Sequence, residues 1–207
     1  MKPHHYFSET QTGKEVIKKV KVSILSHDFE FYTASGVFSA DKIDAGTIIL
    51  IENIKINNGN SKKPDNYTVL DFGCGIGVVG IVIKKLHPET DVYLTDINTR
   101  AVKISHKNAE LNNSEIKAFH GNLFEAIPKE LKFETIISNL PQHAGRKVCF
   151  DIIQQSKDFL NKNGTLQVVA RHQKGGKEIE KKMNEVFGNV ETLVKESGYR
   201  VYASRKV

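Results

Sequence analysis

Val-Leu-Asp-Phe-Gly-Cys-Gly-Ile-Gly-Val-Val-Gly, residues 69–80, decides how this chain folds. An apolar run ends at Asp71, glycines follow at every second position, and a second apolar segment begins after Gly77. That order reads as a strand, a tight turn and a helix. Glycine lets the backbone turn sharply and lets a large ligand lie directly on main-chain atoms. A dinucleotide site would offer bare N–H groups to a pyrophosphate. Here a carboxylate precedes the turn, which favours a ligand carrying a positive centre.

Working outward, strand and helix patterns alternate. Residues 67–71, 91–95, 115–120, 133–138 and 165–170 read as strands. Residues 78–86, 99–111, 146–160 and 177–187 read as helices, the third of them closed by Asn163-Gly164. Such alternation predicts a Rossmann-like α/β fold, a mostly parallel sheet with helices on both faces. The last two strands, 190–195 and 199–203, are separated only by a turn at Ser197-Gly198. A parallel connection needs roughly a dozen residues or more, so these two form an antiparallel hairpin. Upstream, residues 16–25 and 29–33 read as a small β-hairpin, and 43–54 is a β-branched apolar run compatible with helix or strand. Residues 57–66 are polar and rich in turn formers, a linker signal. The expected organisation is an N-terminal extension over 1–60 and a main domain over 61–207.

The chain has 207 residues, 39% hydrophobic and 26% charged, a globular composition. No segment approaches the roughly 18 apolar residues of a membrane span, and the N-terminus carries no apolar signal-peptide core. The two cysteines, Cys74 and Cys149, are too few for a disulfide framework. Reduced thiols fit a cytoplasmic location. No His/Cys spacing suits zinc, so no metal is expected. The net charge is +6, and residues 171–207 contribute nine basic against five acidic side chains. A basic end suits a polyanionic partner such as RNA, or is simply a solvated lysine-rich surface. The sequence specifies no oligomeric state.

Ligands of open parallel sheets bind at the carboxyl ends of the strands. Four strand ends here carry polar groups. Asp71 ends the first. Asp96 ends the second, where it can accept both hydroxyls of a ribose, while Asn98 is the better helix cap. Asn122 follows the third and can read a base edge through its amide. The fourth ends in Ser138-Asn139-Leu140-Pro141-Gln142. Proline keeps Leu140 extended, which should leave its carbonyl exposed beside the Asn139 amide oxygen. Two acceptors together suit a planar exocyclic amine.

The set Asp71-x-Gly73-x-Gly75-x-Gly77, Asp96, Asn122 and Asn139-x-Pro141 resembles the class I S-adenosylmethionine-dependent methyltransferases. Within them it is most similar to the methyltransferase small domain group, which includes bacterial ribosomal-RNA guanine-N2 methyltransferases and compact archaeal relatives. The likeness extends to Gly36-Val-Phe-Ser39, Asp44-Ala-Gly-Thr47, Phe187-Gly-Asn-Val-Glu191 and Gly198-Tyr-Arg-Val201. It implies a seven-stranded sheet ending in an antiparallel hairpin. It implies S-adenosyl-L-methionine as cofactor, touched by Thr47, Asp71, Gly73, Gly75, Asp96, Ile97, Asn122, Leu123 and Asn139. It implies ribosomal RNA as partner, with Asn139, Leu140 and Pro141 meeting the acceptor. The family's usual Asn-Pro-Pro-aromatic motif reads Asn-Leu-Pro-Gln here, so neither the first proline nor the stacking aromatic is present; His143 could stack instead. A protein glutamine remains an alternative acceptor. A cofactor-binding RNA module without turnover and a nicotinamide-dependent oxidoreductase are the other readings, the last because Gly75-Ile-Gly-Val-Val-Gly80 satisfies G-x-G-x-x-G.

Overall fold

The structure, a computed structural model, describes residues 16–38, 41–56 and 67–207. The expected linker at 57–66, the chain start and Ser39 lie outside the described residues. In chain order the elements are β1 (Ile17–Ile24), β2 (His27–Ala34), α1 (Ala45–Asn53), β3 (Tyr67–Phe72), α2 (Val78–Leu86), β4 (Thr90–Asp96) and α3 (Thr99–Leu111). They continue with β5 (Lys117–His120), β6 (Phe133–Asn139), α4 (Arg146–Phe159), β7 (Leu160–Arg171), α5 (Gly176–Phe187), β8 (Glu191–Glu196) and β9 (Tyr199–Arg205).

Seven strands form one sheet in the order β5-β4-β3-β6-β7-β9-β8. The first five are mutually parallel, and β9 runs antiparallel to both β7 and β8. The predicted hairpin is therefore present, with Ser197 and Gly198 both at positive φ (48° and 80°). That conformation matches the twist of a two-residue connection. Chain order reverses between β3 and β6, so their carboxyl ends open a crevice at the switch point.

Period-two alternation assigns each strand residue to one of two cores. Val69, Leu94, Ile137, Val169 and Val201 face the side covered by α1, α2 and α3. Their neighbours Leu70, Tyr93, Ile136, Val168 and Tyr202 face α4 and α5. Burial on both faces explains why the central strands read as unbroken apolar runs.

The β1–β2 hairpin shares the first core. Ile24 and Phe31 are fully buried there, each contributing roughly 1.5–3 kcal/mol. The free edge of β2 is closed by side chains of α3. Asn108 accepts from Tyr32 N (2.6 Å) and donates to Tyr32 O (2.9 Å). Asn112 accepts from Glu30 N (3.3 Å) and donates to Glu30 O (2.8 Å). Four residues along a helix rise about 6 Å, close to the roughly 6.6 Å spanned by two strand residues. Two amides one turn apart thus mimic two rungs of a missing strand.

The ambiguous run at 43–54 is helical. Asp44 caps α1, accepting from Thr47 N at 3.2 Å. Gln167, buried on β7, pairs with both backbone groups of Lys55 (2.9 and 2.8 Å) and fixes the exit. Tertiary packing overrides the β-branched composition here. The helix expected over 146–160 needs correction: it stops at Phe159, and β7 begins at Leu160. Asn163-Gly164 lies inside β7 rather than closing the helix, beside an irregularity in its pairing with β6. A Cβ at Gly164 would lie 2.9 Å from Phe133 O, so only glycine lets the two backbones approach there.

Candidate functional site

The carboxyl ends of β3, β4 and β6 line one cavity of about 500 Å³, roofed by Val37, Phe38 and the start of α1. Asn98 caps α3 through Arg100 N (3.0 Å) and also donates to Gly36 O (2.8 Å). Arg100 donates to Ser35 O (2.6 Å). The segment carrying Val37 and Phe38 is thereby tied to α3.

The glycine turn is organised by two carboxylates. Asp96 accepts from Gly75 N and from Asn98 N, both at 2.8 Å. Asp71, 2% exposed, accepts from Gly80 N at 3.0 Å in the first turn of α2. Gly73 N and Cys74 N bond Thr95 O (2.8 and 3.0 Å), and Gly77 N bonds Cys74 O (2.9 Å). The N–H groups of residues 73, 74, 75, 77 and 80 are thus satisfied within the protein. Asp71 occupies the helix N-terminus where a phosphate would otherwise be drawn. This is not a pyrophosphate cradle.

Burial pushes Asp71 up to about 7, with the Gly80 N–H pulling the other way and the Asp96 charge adding to the rise. Burial also raises Asp96, against the pull of the Asn98 and Gly75 N–H groups. Two enclosed carboxyls beside a cavity create a site that gains from a positive or hydroxyl-rich ligand. The glycines divide the labour. Gly73 and Gly75 have positive φ (70° and 54°), and a Cβ on either would meet no protein atom within 4 Å. They leave room on the cavity side. Gly77, φ 87°, is needed for packing, since its Cβ would fall 2.9 Å from Ser105 Cβ.

At the other end of the cavity, Asn139 terminates β6. Its Nδ2 donates to Asp44 Oδ2 (3.1 Å) and to Thr47 Oγ1 (3.0 Å). The reverse orientation would set the amide oxygen against a carboxylate oxygen, so the nitrogen faces α1 and Oδ1 is turned away from it. Pro141, at φ −77° and ψ 67°, makes an inverse γ-turn. In consequence the Leu140 carbonyl accepts from Gln142 N at 2.8 Å. The carbonyl that the sequence leaves exposed therefore has one lone pair in use and one left. Leu140 itself is buried, its side chain among those of α4.

Gln142 takes no ligand-facing role. Its Oε1 accepts from Arg171 N (2.7 Å), and its Nε2 donates to Arg171 O (3.2 Å) and Lys174 O (2.7 Å). It straps the 139–145 loop to the end of β7. That brings Arg171, Lys174, Tyr199 and exposed His143 to the same mouth. The Arg171 guanidinium lies 4.8 Å over the Tyr199 ring.

Thr47, Asp71, Gly73, Gly75, Asp96, Ile97, Asn122, Leu123, Asn139, Leu140 and Pro141 all line this one cavity. Asn122 is at its exposed rim, 3.4 Å from Glu125 Oε1. Leu123 holds a positive φ of 50°. Sequence reasoning missed Asp44 as a site residue, although Asp44-Ala-Gly-Thr47 was a motif signal. It also missed Arg171 and Tyr199, which only the fold brings in. Cys74 and Cys149 are buried, and burial raises both thiols, Cys149 to about 11. Neither is poised as a nucleophile. Among the described residues no three His, Cys, Asp or Glu side chains gather into a metal site, and no helix is long and apolar enough to cross a membrane.

Comparison with known proteins agrees with this geometry. The Bacillus subtilis (strain 168) protein YbxB is 30% identical over 205 residues, 98% of each chain. Ribosomal RNA small subunit methyltransferase C of Haemophilus influenzae (strain 86-028NP) is 34% identical over 180 residues, covering 85% of this chain and 51% of that protein. The chain therefore spans about half the length of the methyltransferase C relatives. Among solved structures, the T. thermophilus 16S rRNA N2 methyltransferase RsmC in complex with AdoMet and guanosine superposes with a TM-score of 0.79 at 25% identity, over 93% of this chain and 51% of that one. The family profile of the methyltransferase small domain matches residues 28–203. With that match over most of its length, the chain belongs to the methyltransferase small domain family.

Proposed function

We propose that this chain methylates an exocyclic amine of a base in structured RNA, guanine N2 of ribosomal RNA being the best fit, with S-adenosyl-L-methionine as donor. The observation that carries it is the Asn139 amide, pinned by Asp44 and Thr47 so that its oxygen is available beside the second lone pair of the Leu140 carbonyl. Two acceptors hold the two hydrogens of an amine and direct its lone pair outward. The relatives' names point the same way, as does the guanosine in the RsmC complex.

S-adenosyl-L-methionine supplies an already activated methyl group, so the protein's task is alignment, which in the best cases lowers a barrier by roughly 7–11 kcal/mol. Asp96 keeps two lone-pair sites beyond those used by Gly75 and Asn98, enough for the hydroxyls of a ribose. Asp71 favours the ligand's positive end. Open space over Gly73 and Gly75 fits close main-chain contact. The amine's proton is released to water as the new bond forms. The satisfied N–H groups of the glycine turn argue against a nicotinamide dinucleotide. Exposed Arg171 and Lys174 give the acceptor side of the mouth a positive rim suited to phosphates flanking a target base. An RNA substrate and two buried, reduced thiols fit the cytoplasm. The division into a 1–60 extension and a 61–207 catalytic domain is retained as a proposal about the covalent chain; in space the β1–β2 hairpin and the sheet share one core.

Asn139→Ala tests the reading. Turnover should be abolished while S-adenosylhomocysteine affinity stays near normal, because the amide meets the acceptor in the reacting complex. Near-normal turnover in a folded variant would reduce the motif to a turn.

A further inference from the structure

Asp44 lies outside every strand end, yet it reaches the reacting end of the cavity. Its Oδ2 accepts from Thr47 N at 3.2 Å, capping α1, and from Asn139 Nδ2 at 3.1 Å. Thr47 Oγ1 takes the second Asn139 hydrogen at 3.0 Å. The pair is separated by 95 residues in sequence. A helix cap needs only the first of these contacts.

We propose that Asp44 is a positioning and charge-compensating residue for methyl transfer, acting through the Asn139 amide. The inference rests on the amine-methylation reading above. In that reaction the amine nitrogen gives its lone pair to the methyl carbon. The methyl–sulfur bonding pair stays with sulfur, and the nitrogen sheds one proton to water. Positive charge therefore builds on the nitrogen, next to Asn139 Oδ1. A carboxylate on the NH₂ side of the amide draws negative charge toward its oxygen, as linked hydrogen bonds polarise one another. It also stands one amide away from the developing cation, half-buried in the cavity wall. Thr47 fixes the amide plane; Asp44 fixes the plane and supplies the charge. No direct contact between Asp44 and the substrate is required.

Asp44→Asn separates the two parts. One oxygen serves both contacts in the native protein, and asparagine caps helices as well as aspartate does. The substitution therefore keeps the geometry and removes the charge. Melting temperature should stay within a few degrees and S-adenosylhomocysteine affinity within about twofold of wild type, while kcat should fall by about ten- to a hundredfold, as when the outer partner that orients a metal ligand is lost. A readout free of turnover is the Asn139 side-chain amide in a ¹H–¹⁵N spectrum of the ligand-free protein, assigned by its disappearance in Asn139→Ala; it should move in Asp44→Asn. Unchanged kcat in Asp44→Asn, or an unmoved amide signal, would each overturn the proposal. Wild-type protein that methylates no amine would instead overturn the reading beneath it, and the inference with it.

Discussion

Asp96→Ala is the perturbation whose consequences can be worked furthest. In the folded protein the Asp96 carboxylate has two tasks. It holds Gly75 N and Asn98 N, each at 2.8 Å, and it presents its remaining lone pairs to the cavity. A charged hydrogen bond contributes about 1.5–3 kcal/mol. If two ribose hydroxyls use those lone pairs, removing the carboxylate should cost about 3 kcal/mol or more in cofactor affinity, a hundredfold or greater. The same change strands two backbone donors, at about 1–3 kcal/mol for each that stays dry. Gly75 borders the cavity, where water can replace the lost acceptor, so stability should fall modestly and the fold should persist. Calorimetry with S-adenosylhomocysteine and its 3′-deoxy analogue separates the two tasks. Wild type should discriminate between the ligands, and Asp96→Ala should not. A folded variant with native affinity, or one that still discriminates fully, refutes the ribose assignment.

Asp71, raised to about 7 by burial, makes ligand-free stability pH-dependent: its contribution is complete below about 4 and is lost as pH rises to 7, because the unfolded chain ionises first. A ligand bringing a positive centre beside it should therefore bind more tightly between pH 6 and 8 and release protons, which calorimetry in two buffers of different ionisation enthalpy measures; zero release would remove Asp71 from the ligand's surroundings. Gly77→Ala should destabilise by roughly 2–4 kcal/mol in denaturant titration, from positive-φ strain plus the contact with Ser105. Gly75→Ala, with open space at its Cβ, should lose only about 1 kcal/mol of stability but weaken cofactor binding; equal stability losses would show that the two glycines do not divide the work as described. Gln142→Ala cuts three bonds to the backbone of Arg171 and Lys174, and should raise KM for RNA several-fold with S-adenosylhomocysteine affinity unchanged, as filter binding and initial rates would show.

The parallel sheet and its terminal hairpin were legible because they rest on local signals. Alternating strand and helix periods, and the two-residue connection at Ser197-Gly198, each point to one structure. The cavity end proposed for the cofactor was legible for the same reason: Asp71, Gly73, Gly75 and Asp96 lie at strand ends that the topology must bring together. The acceptor end was less so. Asn139-Leu140-Pro141 was found as a motif, but its orientation depends on Asp44 and Thr47, which belong to a helix whose isoleucines and threonine read equally well as a strand. Gln142 looked like a missing aromatic; in the fold its amide replaces a rung of backbone pairing. The Asn163-Gly164 pair carried a helix-stop signal that the β6–β7 ladder absorbs as an irregularity. Where a residue's role is set by a partner a hundred positions away, composition and periodicity do not contain it.

The most direct measurement is the destination of a labelled methyl group. Protein incubated with methyl-labelled S-adenosyl-L-methionine is offered ribosomal RNA as naked transcript, as assembled subunit and alongside total protein, and the RNA is then digested to nucleosides. The account predicts label in N2-methylguanosine, falling steeply with salt as phosphate contacts are screened, and absent with Asn139→Ala. Label found solely in protein, with RNA unmodified in every form offered, would contradict it.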